Sequence, residues 1–90
     1  MKVIAVCSCS GVKEKAIQAF KIMYPKEEVP PIYVGKDAVL KFAESKAGTN
    51  IGEYMKATAK RNSRYSYYVE YNENGDVTAI YNLADGKKVA

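Results

Sequence analysis

The sequence predicts an α+β fold, a two-layer sandwich in which a mixed sheet of three to five strands carries its helices on one face. Three observations favour it: an apolar run at residues 1–7, three amphipathic segments typical of helices in the middle of the chain, and two alternating strands around an Asn-Gly pair at residues 64–83. The predicted order is β-α-β-α-α-β-β, with a short last strand as an option, in a single domain spanning the 90 residues.

The N-terminal run, MKVIAVC, is continuously apolar and rich in β-branched residues. Such a strand is normally covered on both faces, so we expect it inside the sheet and not at an edge. Ser10 is the predicted N-cap of a helix over residues 12–23, which Pro25 ends. A short strand is predicted at residues 32–34, joined to the first strand by a right-handed parallel crossover.

Two further helices are predicted between this short strand and the alternating strands. Asp37 is the predicted N-cap of the first, over residues 38–47, and Gly48 is its C-terminal stop. Asn50 is the predicted N-cap of the second, because its spacing to Glu53 is that of a capping box.

Residues 64–83 predict a β-hairpin whose register follows from the alternating pattern. A two-residue Asn74-Gly75 turn would place Val69 opposite Ile80 and mix the two faces of the sheet. A three-residue loop, with Gly75 in the left-handed position of a bulge, places Val69 opposite Ala79 and separates the faces. We therefore predict the three-residue loop. The residues assigned to the core are Tyr65, Tyr67, Tyr71 and Tyr81, and those assigned to the outer face are Tyr68, Glu70, Thr78 and Ile80.

The composition excludes several kinds of chemistry. The sequence contains no histidine, which removes the commonest general base and the imidazole ligands of most zinc and copper sites. It also lacks the glycine-rich fingerprints that bind nucleotide phosphates. We therefore expect no catalytic residue, no cofactor and no metal, and the sequence favours a non-catalytic function over an enzymatic one.

Charge and hydropathy bear on partners and location. The net charge is +4 and divides evenly, with seven basic and five acidic residues in each half of the chain. The first apolar run is shorter than the about 7–15 residues of a signal-peptide core, and no run approaches the ~18 residues that cross a membrane. We expect a cytoplasmic protein with no membrane partner.

The strongest candidate for a binding surface joins the end of the third helix to the outer face of the hairpin. Lys56, Lys60, Arg61 and Arg64 fall within nine residues that contain no acid, and Tyr68 follows on the outer face. Tyrosine and arginine are favoured anchors of protein interfaces, so we expect a small binding module with a protein partner, acting as an accessory, regulatory or inhibitory protein. The alternative is a nucleic acid, whose phosphates bind basic side chains and whose bases stack on aromatic rings.

A second alternative concerns the turn after the first strand, Cys7-Ser8-Cys9-Ser10-Gly11. A thiol at a helix N-terminus has a lowered pKa and a raised reactivity, and the same geometry can hold an anion. Cys7, Cys9, Ser10 and Gly11 are therefore candidates for thiol chemistry or anion contact. The competing interpretation is a buried Cys7 beside a serine-capped turn, since two cysteines alone cannot fill a zinc site.

A third interpretation is self-association. The hairpin strands are long and aromatic, and a strand of that kind at the edge of a sheet pairs with other chains unless it is covered. The sequence therefore allows a homo-oligomer formed through a hairpin edge.

Overall fold

The computed structural model describes residues 1–61 and 64–89. Within these ranges the α+β class and the predicted order of elements are confirmed. None of the helices in the described ranges is long and apolar enough to cross a membrane. The elements are β1 (Lys2–Val6), α1 (Val12–Met23), β2 (Ile32–Val34), α2 (Lys36–Ser45), α3 (Asn50–Ala59), β3 (Ser66–Tyr71), β4 (Val77–Asn82) and β5 (Lys87–Lys88).

The sheet is mixed and has the strand order β2-β1-β3-β4-β5. β1 pairs in parallel with β2 and antiparallel with β3, so it lies inside the sheet, as its apolar run predicted. Its side chains are buried on both faces: Val3 is 1% exposed, and Ile4, Ala5 and Val6 are each 0% exposed.

The helices lie on both faces of the sheet, which differs from the predicted two-layer arrangement. Val3 and Ala5 pack in one cluster with residues of α2 and α3, including Phe42 and Met55. Ile4 and Val6 pack in a second cluster with Ala16 and Phe20 of α1. The physical reason lies in β1, because successive side chains of a strand point to opposite faces and all of these are apolar.

The hairpin turn has the predicted form. The N–H of Asn72 donates to the Asp76 carbonyl at 2.9 Å, and the N–H of Gly75 donates to the Asn72 carbonyl at 2.9 Å. Gly75 has a φ of 83°, the left-handed conformation that the three-residue loop requires.

The register of the hairpin agrees with the prediction only next to the turn. Tyr71 lies opposite Val77, but an irregularity between Glu70 and Tyr71 shifts the pairing, so that Val69 lies opposite Ile80 and not Ala79. Such a bulge places an extra residue in one strand and exchanges the faces beyond it. Ile80 therefore joins the cluster under α2 and α3, and Tyr81 joins the cluster under α1.

The helix caps differ from those predicted. Thr49 caps α3, accepting a hydrogen bond from the N–H of Gly52 at 3.2 Å, one residue before the predicted Asn50. α1 and α2 begin after Gly11 and Gly35, and in the described structure no side chain caps either start. Ser10 and Asp37 are therefore not N-caps.

The hairpin tip docks on the N-terminus of α3. The N–H of Ile51 donates to the Gly75 carbonyl at 2.8 Å, and the N–H of Val77 donates to Asn50 Oδ1 at 3.1 Å. A Cβ atom at Gly75 would lie 2.5 Å from the Cβ atom of Thr49. Glycine is therefore required here by the close approach as well as by the turn.

The hairpin does not form a free sheet edge along its length. β3 is enclosed by β1 and β4, and β4 pairs with β5 at Tyr81 and Asn82. The edge strands are the short β2 and β5. The hairpin edge is therefore shorter than assumed, because β5 covers the end of β4, and self-association through the rest of that edge stays a prediction.

Gly75→Ala should lower the free energy of unfolding by about 2–5 kcal/mol, measured by urea denaturation. A left-handed residue with a Cβ atom costs roughly 1–2 kcal/mol, and overpacking against Thr49 adds about 1–3 kcal/mol. Gly48→Ala is the matched control, because Gly48 also has a φ of 83° but nothing lies within 4 Å of its added Cβ. Equal losses for the two variants would contradict the close contact of the hairpin tip with Thr49.

Candidate binding surface

One end of the sheet, which we call the basic end, collects segments that are distant in sequence. β1, β2 and β4 finish at this end and β3 begins there, since β3 runs antiparallel to β1 and to β4. α1 and α2 therefore begin at the basic end. α3 starts beside the hairpin tip at the opposite end and finishes at the basic end.

Cations outnumber acids at the basic end. Its exposed basic residues are Lys13, Lys15, Lys36, Lys60, Arg61, Arg64 and Lys87, and its exposed acidic residues are Glu14, Asp37 and Asp85. The opposite end carries acids and cations in closer balance: Glu73 and Asp76 lie at the hairpin tip and Glu27-Glu28 in a loop, but Lys26 lies in the same loop and Lys2 pairs with Glu27. The charge that divides evenly along the chain is therefore unevenly distributed in the fold.

Arg61 is held on an aromatic cluster at the basic end. Its Nη1 atom donates a hydrogen bond to the Tyr67 hydroxyl at 2.5 Å, and its guanidinium carbon lies 5.2 Å from the centre of the Tyr67 ring. The ring of Tyr67 in turn contacts those of Tyr54 and Tyr65, with centroids 6.2 Å away in both cases. A guanidinium has five N–H donors in a rigid fork, so an arginine oriented in this way can bind a carboxylate with its other donors.

A groove of about 480 Å³, which we call the α1 groove, runs between α1 and the ends of β3 and β4. Its apolar part includes Ala19, Ile22 and Leu83, and its charged part includes Lys15 and Arg64. Ile22 is 81% exposed. No acid is among the described residues that line the groove. It therefore combines an uncovered apolar surface with positive charge.

Tyr68 does not belong to any exposed surface. The prediction that its ring lies on the outer face and contributes to the binding surface is wrong. It does lie on the face opposite Tyr67, but α1 covers that face and leaves Tyr68 0% exposed. Its ring lies 5.2 Å from that of Phe20 and 5.6 Å from that of Tyr24. Burial raises the pKa of Tyr68, and the hydrogen bond that its hydroxyl donates to Glu70 at 2.7 Å raises it further.

The four predicted cations do not form one patch. Lys60, Arg61 and Arg64 are exposed at the basic end. Lys56 lies one turn earlier on α3 and lines a separate cavity of about 180 Å³ with Glu44 and Glu53, so carboxylates neighbour it. The run of cations in the sequence is therefore divided between two surfaces.

The turn after β1 holds both cysteines against the same packed cluster. The chain bends at Ser8, and Cys7 is 7% exposed while Cys9 is half-buried. Ser10 is exposed and caps no helix, and Gly11, with a φ of 78°, precedes the first turn of α1. Among residues 1–61 and 64–89, no three cysteine or acidic side chains gather closely enough to hold a metal ion.

Two contributors to this surface were not among the predicted site residues. Tyr67 was assigned to the core, yet its hydroxyl reaches Arg61. Lys15 lines the α1 groove together with Arg64. No local pattern distinguishes Lys15 from other surface lysines, because its position beside Arg64 depends on how α1 packs on the sheet.

Comparisons with known proteins identify no relative. No protein-family model matches the chain, and neither a curated protein nor a solved structure matches it.

Tyr68→Ala should lower the free energy of unfolding by about 3–5 kcal/mol, because it removes a large ring from a closed cluster. Thr78→Ala is the control, since Thr78 was assigned to the same outer face and is exposed. Its loss should stay within about 0.5 kcal/mol. Urea denaturation measures both, and a loss at Tyr68 as small as that at Thr78 would contradict its burial under α1.

Proposed function

We propose that the protein is a small non-catalytic binding module whose basic end recognises an acidic segment of a protein partner. The observation that carries this proposal is the gathering of exposed cations around Arg61, which Tyr67 orients, and around the α1 groove. A partner with carboxylates beside apolar side chains complements these features. Through that contact the protein acts as an accessory, regulatory or inhibitory factor in the cytoplasm.

The burial of the aromatic residues favours a protein partner over a single-stranded nucleic acid. Every Phe and Tyr of the chain lies in the described ranges, and each is buried or half-buried. Sequence-tolerant binding of single strands depends on bases stacking on accessible rings. With Tyr68 under α1 and Tyr67 under Arg61, cations supply most of the recognition.

The α1 groove favours an amphipathic acidic segment over a purely charged one. Protein interfaces combine an apolar centre with a polar rim. In this groove Ile22, with the half-buried Ala19 beside it, offers the apolar contact, and Lys15 and Arg64 offer the charges. An apolar side chain of the partner can cover the exposed surface of Ile22 while neighbouring carboxylates bind the two cations.

Selection from a random peptide display library on the immobilised full chain tests the proposal. The selected peptides should be enriched in Asp and Glu and should carry at least one large apolar residue. Their binding should weaken as salt concentration rises, because exposed charges are screened within roughly 8–10 Å at physiological ionic strength. Selection of neutral or basic peptides, or tighter binding of single-stranded oligonucleotides than of any peptide, would overturn it.

Charge-removing variants locate the surface. Replacing both arginines, Arg61→Gln with Arg64→Gln, should weaken binding of a selected peptide at least about tenfold, or about 1.4 kcal/mol. Lys56→Gln is the matched control, since it removes a cation from the same stretch of sequence but from the cavity beside Glu44 and Glu53. It should change the affinity less than about twofold, and fluorescence anisotropy measures both effects. Equal losses would place the binding surface along α3.

A further inference from the structure

Cys7 and Cys9 form a compact thiol pair that the proposed binding function does not use. Both are free cysteines, and both pack in the cluster under α2 and α3. Two residues of extended chain span at most about 7 Å, and the bend at Ser8 shortens the distance between them. A disulfide needs Cα atoms roughly 4.4–6.8 Å apart, and a spacing of two residues with a bend between them is compatible with that separation.

The surroundings of Cys7 favour its thiolate. Burial raises the pKa of Cys7, but hydrogen bonds from the backbone N–H groups of Cys9 and Tyr65, the Cys9 thiol and the charge of Arg64 together hold it below its ordinary value. The hydrogen bond with Cys7 and burial raise the pKa of Cys9. The backbone of Cys7 is itself fixed, since its N–H donates to the Tyr65 carbonyl at 2.9 Å. The two thiols therefore differ: the surroundings of Cys7 lower its pKa, and Cys9 is the more exposed of the two.

We propose that Cys7 and Cys9 are a redox-active dithiol that exchanges with small disulfides of the glutathione type and closes reversibly to a Cys7–Cys9 disulfide. The proposal stands on the spacing of the two cysteines, the bend between them, their shared cluster and the partial exposure of Cys9. It does not depend on what the basic end binds.

The exchange takes two steps. In the first, the Cys7 thiolate attacks one sulfur of the small disulfide, forming a mixed disulfide and releasing one thiolate, which takes a proton from water. In the second, Cys9 loses its proton to water, and its thiolate attacks the Cys7 sulfur, closing the bridge and releasing the second small thiol. The two cysteines lose two electrons and two protons in total, and the small disulfide is reduced to two thiols.

The short ring makes the bridge easy to reopen. With Ser8 as the only residue between the cysteines, the disulfide closes a small ring in a chain segment held by β1 and α1. Strained or exposed disulfides are the readily reduced ones, in contrast to structural bridges. In a reducing compartment the resting form is therefore the dithiol, and the bridge forms only while small disulfides accumulate.

Incubation of the reduced full chain with oxidised glutathione, followed by acid quenching, alkylation and mass spectrometry, tests the inference. The expected product has lost two hydrogens, carries no glutathione and no alkyl group, and returns to the dithiol with reduced glutathione. Glutathione adducts without a bridge, or thiols that stay alkylatable after long incubation, would overturn it. This measurement needs no variant, so it does not depend on how a substitution affects folding.

Single-cysteine variants assign the roles. Cys9→Ser should stop after the first step and accumulate a glutathione adduct on Cys7. Cys7→Ser should react at pH 7 at least about tenfold more slowly, because the remaining thiol lacks the donors around Cys7. Ser10→Ala is the matched control, since it changes the same turn without removing a thiol and should close the bridge at the wild-type rate. Adduct formation that is faster on Cys9 than on Cys7 would overturn the assigned roles.

Discussion

The burial of β1 on both faces is the constraint on which the rest of the fold depends. Val3, Ile4, Ala5 and Val6 alternate between the two faces, and each is almost completely removed from water. Fully burying a large aliphatic side chain is worth about 1.5–3 kcal/mol, so neither face can be left open without a large loss of stability. α1 covers Ile4 and Val6, while α2 and α3 cover the opposite face. The three layers follow from one short strand.

The same constraint creates the basic end. Because β1 and β2 are parallel and their following helices pack on opposite faces, α1 and α2 begin at one end of the sheet and α3 finishes beside them. Lys15 of α1, Lys36 of α2 and Arg61, which follows α3, share this end only because of that arrangement. The turn with both cysteines lies there too, since it connects β1 to α1. The charge of Arg64 acts on both thiols, and Arg64 also lines the α1 groove.

The order of the elements, the interior position of β1 and the turn at Gly75 could be predicted because each depends on a local pattern. The register of the hairpin could not. Its derivation assumed that one face is apolar and the other solvated, and this assumption fails when helices cover both faces. Tyr68 and Ile80 were assigned to solvent on that assumption, whereas each is buried, under α1 and under α2 and α3 respectively. The strand MKVIAVC already indicated the opposite, because a strand that is buried on both sides requires helices on both faces of the sheet.

The candidate sites also differ in how far the sequence alone could predict them. Cys7 and Cys9 are two residues apart, so their proximity was evident from the sequence, and the structure adds the backbone donors and Arg64 around them. The cations at and after the third helix were also close in sequence, yet Lys56 lies within α3 whereas Arg61 follows its end, and the two side chains belong to different surfaces. Lys15 and Arg64 are distant in sequence and share one groove. The proposed recognition by the basic end therefore depends on the tertiary fold, whereas the proximity of the two cysteines depends on one turn. A substitution that loosens the packing of α1 should impair the proposed recognition without separating the two thiols.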